Sequence, residues 1–418
     1  MRTKNLFLLL SCFICLTARA QLNQLYDNVS YKALYLKEAS KLIASDPNLL
    51  LLDVRSPGEY AENSQSLTLN MGRLKGSVNI SIDSIRNHLK DLEQYKDKTI
   101  LVYCSHSQRS RVVSKLLADN GFKHVNSLNG GMSLVNRSTD AEFPAKAALY
   151  TSSLPYELIQ SVDAYNFIRN KKNVIIDLRP AAGFNGTDSI ADNNIGRIKG
   201  AINIPANALD GKMNTLDKYK NRPVMLYDLH NSESVDAALK LTKAGFKKVY
   251  VLFEGLSTLM VNTPSGAGLR TELFVSYPKY KIIGPRETIA IVDHMPNILI
   301  ADVRDKSLFE NKGAMSFLNL GHIKNAQNLP DIAAIHTFLK GKPKSTPVLI
   351  YGSGMEGMKM KGVPVSVPPS DICRLLAAEG YTNIYLLGNG LYSVFWAITN
   401  VEDCRNGMAI LTDHKGLY

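Results

Sequence analysis

Cys104 follows the apolar run Ile100-Leu101-Val102-Tyr103 and opens a short polar segment, Ser105-His106-Ser107-Gln108-Arg109-Ser110, before a helix-like stretch from Arg111 to Asn120. A cysteine placed between a strand and a helix in this way can turn its sulfur into a ring of backbone N–H groups that stabilise an anion. The thiolate, not the thiol, is the nucleophile, and loop amides, a helix start and a nearby cation all favour it. Arg109 supplies the cation and a planar fork of N–H donors suited to an anionic ligand. His106 can add charge or a hydrogen bond. Cys104 is therefore the candidate nucleophile, and Ser105, His106, Ser107, Gln108, Arg109 and Ser110 are the candidate substrate-binding residues. The competing expectation is that Cys104 is a small buried hydrophobe at a strand end.

The elements around this loop read as alternating strands and helices. A helix near Glu38 to Ser45 precedes the buried-type strand Leu49 to Val54, and Ser110 opens a helix with Val112, Val113, Leu116 and Leu117 on its apolar face, stopped by Gly121. Strands that are continuous hydrophobic runs, separated by helices, predict an α/β fold with a mainly parallel sheet flanked by helices on both faces. Reactive groups in such sheets collect at the carboxyl ends of the strands, where Cys104 lies.

The same frame occurs three times. Leu52-Asp53-Val54-Arg55 recurs as Ile176-Asp177-Leu178-Arg179 and Ala301-Asp302-Val303-Arg304. Gly72-Arg73-Leu74-Lys75-Gly76-Ser77-Val78-Asn79-Ile80 returns as Gly196 to Ile204 and, more loosely, as Gly321 to Leu329. Val102-Tyr103-Cys104 matches Leu226-Tyr227-Asp228 and Ile350-Tyr351-Gly352, and Gly121, Gly245 and Gly380 each precede a last strand that ends near Gly131, Gly255 and Gly390. The first two copies are offset by 124 residues at nearly every landmark, and the third has an insertion after Gly352. A period this long is a domain length, so the chain divides into residues 1–20, 21–150, 151–272 and 273–418: a leader and three tandem domains.

Asp-Val-Arg, then Gly-x-Ile/Leu-Lys-Gly-x-x-Asn-Ile, then strand-Tyr-Cys with an arginine five positions on, then Gly-Phe and Gly-Gly, resembles the rhodanese family of sulfurtransferases, three times over. The resemblance implies that Cys104 takes a sulfane sulfur from thiosulfate or a similar donor, forms a persulfide and passes the sulfur to cyanide, a thiol or a protein thiol. Four residues separate Cys104 from Arg109, against five in the phosphatases that look like rhodaneses, so sulfur transfer is favoured over phosphoryl hydrolysis. The family often has an arginine directly after the cysteine and a glycine three positions on, where Ser105 and Ser107 stand. A positive φ at Ser107 would cost on the order of 1 kcal/mol. Asp53 and Arg55 are expected to be structural, Gly72, Gly76 and Gly131 to be turn positions, and Glu59 to be a solvated or bracing carboxylate.

The second copy has Asp228-Leu229-His230-Asn231-Ser232-Glu233 in place of the reactive loop and the third begins at Gly352-Ser353-Gly354. Neither aspartate nor glycine can carry a persulfide, so both copies are expected to be inactive and to shape a cleft over Cys104 or bind a partner. Met355, Met358 and Met360 are soft ligands in principle, but a mobile glycine-rich loop is the commoner meaning. No metal or other cofactor is expected.

Arg2 and Lys4 before the apolar stretch Leu6 to Leu16, with Ala18-Arg19-Ala20 before Gln21, predict a secretory signal peptide and placement in the periplasm. Leu9-Leu10-Ser11-Cys12 also faintly resembles a lipoprotein box. Removal of residues 1–20 would leave Cys104, Cys373 and Cys404, of which the last two could pair in an oxidising compartment or lie buried as thiols. The charge of +12 falls to +9 without Arg2, Lys4 and Arg19. Its lysines are scattered, which argues against a nucleic-acid partner and for a modest field that gathers small anions. No second apolar run is long enough to span a membrane. A non-catalytic binding or scaffold protein is the alternative from another class. A redox role for Cys104 is disfavoured by the lack of a Cys-x-x-Cys pair.

Overall fold

The structure, a computed structural model, describes residues 31–263, 268–314, 318–354 and 367–413. The leader, Cys12 and the methionines after Gly354 lie outside the described residues. Three five-stranded sheets account for the architecture. In the first, the strand order is Lys32–Leu34, His124–Leu128, Thr99–Tyr103, Leu50–Asp53 and Val78–Asn79, and every pairing is parallel. The second and third sheets repeat that order, confirming the α/β reading. All four residues of Leu50–Asp53, of Val174–Asp177 and of Val224–Tyr227 are buried, as expected where helices cover both faces of a sheet. Each repeat also closes with a short antiparallel ladder: Arg73–Leu74 with Tyr150–Thr151, Arg197–Ile198 with Phe274–Val275, and His322–Ile323 with Leu411–Thr412. The first two repeats form one compact unit, to Tyr277; the third, from Pro278, is another.

The repeated sequence landmarks are the frame of each sheet. Arg55 directs Nε and Nη2 onto the carboxylate of Asp53, two residues before it, and donates Nη2 to the Gly72 carbonyl at 2.8 Å. Arg179 does the same with Asp177 and Gly196, and Arg304 with Asp302 and Gly321. Both members of the Asp53–Arg55 pair are fully buried. Burial favours the neutral guanidine, but the bonds and charge of Asp53 outweigh it and hold Arg55 above its ordinary value. The side chain of Asn79 ties the carbonyls of Asp53 and Arg55 to the edge strand. In each repeat the tyrosine next to the aspartate in register, Tyr103, Tyr227 or Tyr351, accepts the backbone N–H of Leu74, Ile198 or Ile323 at its hydroxyl. These residues hold the loop-bearing strands in place, as the structural reading of Asp53 and Arg55 requires.

The helix after Cys104 begins earlier than the sequence suggested, running Gln108–Asp119. Val113 and Leu117 are buried with Ser110, Arg111 and Ser114, while Val112 is 56% exposed. The apolar pattern places Val112 on the buried face of the helix. Instead the Arg111 guanidinium is buried and donates Nη2 to Asn129 Oδ1 at 2.8 Å, turning the helix about its axis. Gly121, at φ +84°, ends the helix as expected.

Replacing Asp53 with alanine leaves a buried guanidinium without its carboxylate, for which a loss of about 3–5 kcal/mol is expected. Urea unfolding of Asp53→Ala should show that shift; an unchanged midpoint would remove the pair from its framing role.

Candidate active site

The loop that Cys104 begins is clamped from two sides. Val54 N–H bonds to the Tyr103 carbonyl at 3.0 Å. Beyond the last strand, the helix Gly131–Arg137 points its first amides at the loop, with Met132 N–H on the Cys104 carbonyl and Ser133 N–H on the Ser105 carbonyl, each at 2.9 Å. Gly131 has φ +53°, and a Cβ there would collide with the Cys104 carbonyl, so this glycine is needed for close backbone approach as well as for the turn. Gly255 and Gly390 hold the same places, with Leu256 N–H on the Asp228 carbonyl and Leu391 N–H on the Gly352 carbonyl. Gly72 and Gly76 also have positive φ, in keeping with their expected turn positions.

Cys104 is 1% exposed and packs against the core of its domain. Its sulfur accepts the Ser107 N–H at 3.2 Å and lies 3.7 Å from Ser110 Oγ. Ser107 has φ +93°, the strained conformation anticipated for this position. Ser107 Oγ accepts the Gly130 N–H at 2.5 Å, and Ser110 Oγ donates to the Ser107 carbonyl at 2.9 Å while receiving Ser127 Oγ at 3.1 Å. These bonds hold a backbone that serine rarely adopts.

The second domain shows what such a loop accommodates. Asp228, at the position of Cys104, accepts backbone N–H bonds from His230, Asn231, Glu233 and Ser234, those of His230 and Ser234 at 2.9 and 3.1 Å. Asn231, in the place of Ser107, also has a positive φ of +70°. Four amides converging on a single carboxylate make this turn an anion cradle by geometry.

Of the six loop residues proposed as substrate-binding, Ser107 and Ser110 surround the sulfur. Arg109 instead meets Glu59, and Ser105 meets Arg109. Arg109 spans both Glu59 oxygens, with Nη1 to Oε2 at 2.6 Å and Nη2 to Oε1 at 2.7 Å, and bonds Ser105 Oγ at 2.9 Å. Its fork, expected to receive an anionic donor, is thus occupied by the protein's own carboxylate; a buried Glu59 requires a cation. Glu59 caps the helix Pro57–Tyr60 in return, accepting from the backbone N–H and hydroxyl of Ser56, each at 3.0 Å. It braces the site rather than standing in solvent. The spacing Ser56-x-x-Glu59 was a legible capping signal; that Arg109 would meet it was not. Burial raises the Glu59 carboxyl, but the bonds from Arg109 and Ser56 and the Arg109 charge leave it below the ordinary carboxylate value.

Gln108 is exposed at the start of its helix. His106 keeps a solvent-facing edge and faces a cleft of about 190 Å³ shared with the second domain, lined also by Met71, His230, Phe253 and Glu254. The chain packed around it desolvates the imidazole and lowers its pKa, with Arg137 and Arg109 acting in the same direction and Glu254 and Glu59 opposing them. The shift disfavours the added charge that the sequence allowed. Glu254, at this domain boundary, accepts Ser133 Oγ at 2.8 Å and pairs with Arg137. Cys373 and Cys404 are buried thiols outside any disulfide. Among the described residues no group of three His, Cys, Asp or Glu side chains could hold a metal, and no helix is long and apolar enough to cross a membrane.

Two outcomes follow from this geometry. Gly131→Ala forces a side chain into the Cys104 carbonyl at an unfavourable φ and should destabilise the chain by more than about 1 kcal/mol, read by urea unfolding. Because the folded Glu59 pKa is depressed, its stabilisation is complete above the ordinary carboxylate range and is lost as the pH falls through the lowered value. Acid unfolding of Glu59→Gln should accordingly lack that part of the pH dependence; a curve parallel to the wild type would contradict the ion pair.

The rhodanese-like domain family matches residues 35–138, 161–259 and 287–395. The chain is 34% identical over 100 residues to the tRNA uridine(34) hydroxylase of Acinetobacter baumannii strain AYE, covering 23% of this chain and 29% of that protein. It is 31% identical over 102 residues to YibN of Escherichia coli strain K12, covering 24% and 65%. It thus spans less than two thirds of the length of either relative. Among solved structures, wild-type EanB is similar at 14% identity and a TM-score of 0.27, over 88% of this chain and 96% of that one. The thiosulfate sulfurtransferase of Pseudomonas aeruginosa is similar at 14% identity and a TM-score of 0.21, over 87% and 67%. With its three matched segments coinciding with three parallel sheets of one strand order, the chain belongs to the rhodanese-like domain family.

Proposed function

We propose that the protein moves a sulfane sulfur through Cys104, and that the second and third domains take no covalent part. The observation that carries this reading is the Cys104 sulfur on the Ser107 N–H, in a turn whose counterpart holds the Asp228 carboxylate by four amides. A turn built for a negative atom suits a thiolate and, one sulfur longer, a persulfide anion. With thiosulfate as donor, the Cys104 thiolate attacks the outer sulfur. The donor's S–S bond breaks, sulfite leaves with the bonding pair, and Cys104 retains the transferred sulfur as a persulfide. An acceptor such as cyanide, a low-molecular-weight thiol or a protein thiol then attacks that outer sulfur and releases the Cys104 thiolate. Asp228 and Gly352 offer no sulfur for either step.

One observation favours a second reading, a non-catalytic binding protein: at 1% exposure Cys104 is open to a donor only when neighbouring side chains part. Thiosulfate loading followed by intact mass measurement separates the two. The expected result is a gain of one sulfur atom in the wild type and none in Cys104→Ser. A gain that persists in the variant, or is absent from both, overturns the assignment. Export to the periplasm through the leader at residues 1–20 belongs to the same proposal, and amino-terminal sequencing of the mature protein should begin at Gln21.

A further inference from the structure

We propose that Glu59 is an internal competitor for Arg109: its carboxylate closes the mouth of the Cys104 loop at rest, and an anionic sulfur donor enters by taking over the Arg109 guanidinium. This rests on the reading of Cys104 as the nucleophile and names what controls access to it. The two side chains lie 50 residues apart in sequence and meet through a bidentate fork, the geometry with which a guanidinium also grips the oxygens of a sulfonate or sulfate group. The Glu59 side chain is 3% exposed and that of Arg109 28%, so the cation is the member an incoming anion reaches first.

The second domain shows the same region without the clasp. Gly183 stands at the position of Glu59 and Glu233 at that of Arg109, each 124 residues on. There a pocket of about 120 Å³ opens over the loop, lined by Arg179, Gly183, Asn193, Asp228 and Glu233 among others. The frame therefore leaves space above the residue in the cysteine position. In the first domain, the equivalent positions carry two long side chains joined to each other; the residue at the cysteine position is itself buried in both domains, 1% exposed for Cys104 and 3% for Asp228.

Glu59 also has somewhere to remain when it lets go. Its Oε2 stays bonded to the backbone N–H and hydroxyl of Ser56, so part of the carboxylate keeps its partners, while Oε1, bonded to Arg109, must turn toward solvent as the buried cation is withdrawn. Arg109 likewise keeps its bond to Ser105 Oγ, at the base of the loop. The exchange replaces one charge-assisted fork with another and needs no rearrangement of the sheet.

The test compares two thiol reagents of similar size, anionic iodoacetate and neutral iodoacetamide, on the full chain, with Cys104→Ser as background and intact mass as readout. In Glu59→Gln the competing charge is gone while Arg109 remains, so the iodoacetate rate should rise about tenfold relative to the iodoacetamide rate, the scale of one charged hydrogen bond. In Arg109→Ala, access opens without an attracting cation, and only the iodoacetamide rate should rise. Equal change with both reagents in Glu59→Gln, or none, overturns the competition. If Glu59→Gln does not fold, Glu59→Asp, whose shorter arm weakens the clasp, is read in the same way. Alkylation requires no sulfur transfer. Selectivity as expected with no persulfide formed would leave the gate standing and remove the proposed reaction; a persulfide formed without that selectivity would do the reverse.

Discussion

One short turn, at the carboxyl end of a central parallel strand, presents backbone amides to the residue that opens it, and the first two domains differ in what the chain places there. In the second domain the partner is built in: the Asp228 carboxylate accepts four N–H groups and fills the turn. In the first, the residue at that place is Cys104, whose sulfur accepts the Ser107 N–H. The demand on the backbone is the same in both, since Ser107 and Asn231 each take a positive φ at the third position of the loop. Asparagine tolerates that conformation more easily than serine, and the first domain offsets the strain with the Ser107 and Ser110 hydroxyl bonds.

The turn can be this demanding because the sheet beneath it is overdetermined. The Asp–Arg pair at the end of the second strand, the glycine carbonyl it grips, the buried tyrosine beside it and the asparagine on the edge strand form one hydrogen-bonded frame, repeated with almost the same distances in three domains. A buried ion pair of this kind contributes little net stability compared with an apolar replacement, yet losing one member is costly. Its service is to fix where the neighbouring strand ends, and hence where the reactive turn begins. The frame survives intact in the two domains that have no cysteine at that position. The scaffold and the chemistry are therefore separable.

Above the turn, the first domain has Glu59 and Arg109 where the second has Gly183 and Glu233. That pair takes up the cation that seemed available for substrate. His106 faces outward, toward a cleft to which the second domain contributes His230, Phe253 and Glu254. The second domain thereby forms one wall of the cleft that His106 faces.

The sequence alone determined the repeat, the parallel α/β sheets and the placement of Cys104 at a strand end. Those features are written in local order: runs of buried residues, glycines at fixed offsets and the identity of one side chain per loop. The cost of a positive φ at Ser107 could be weighed from the resemblance, which has glycine there; that the loop takes it is shown by the structure. Tertiary structure decided the rest. Arg109 could be read as a waiting anion receptor until folding brought Glu59 across 50 residues to occupy it. His106 could be read as a charge until the surrounding chain desolvated it, and Val112 as core until a buried Arg111 turned the helix. In each case local pattern specifies what a side chain can do, while its burial and its partner, which set its charge and availability, depend on segments far away in the chain.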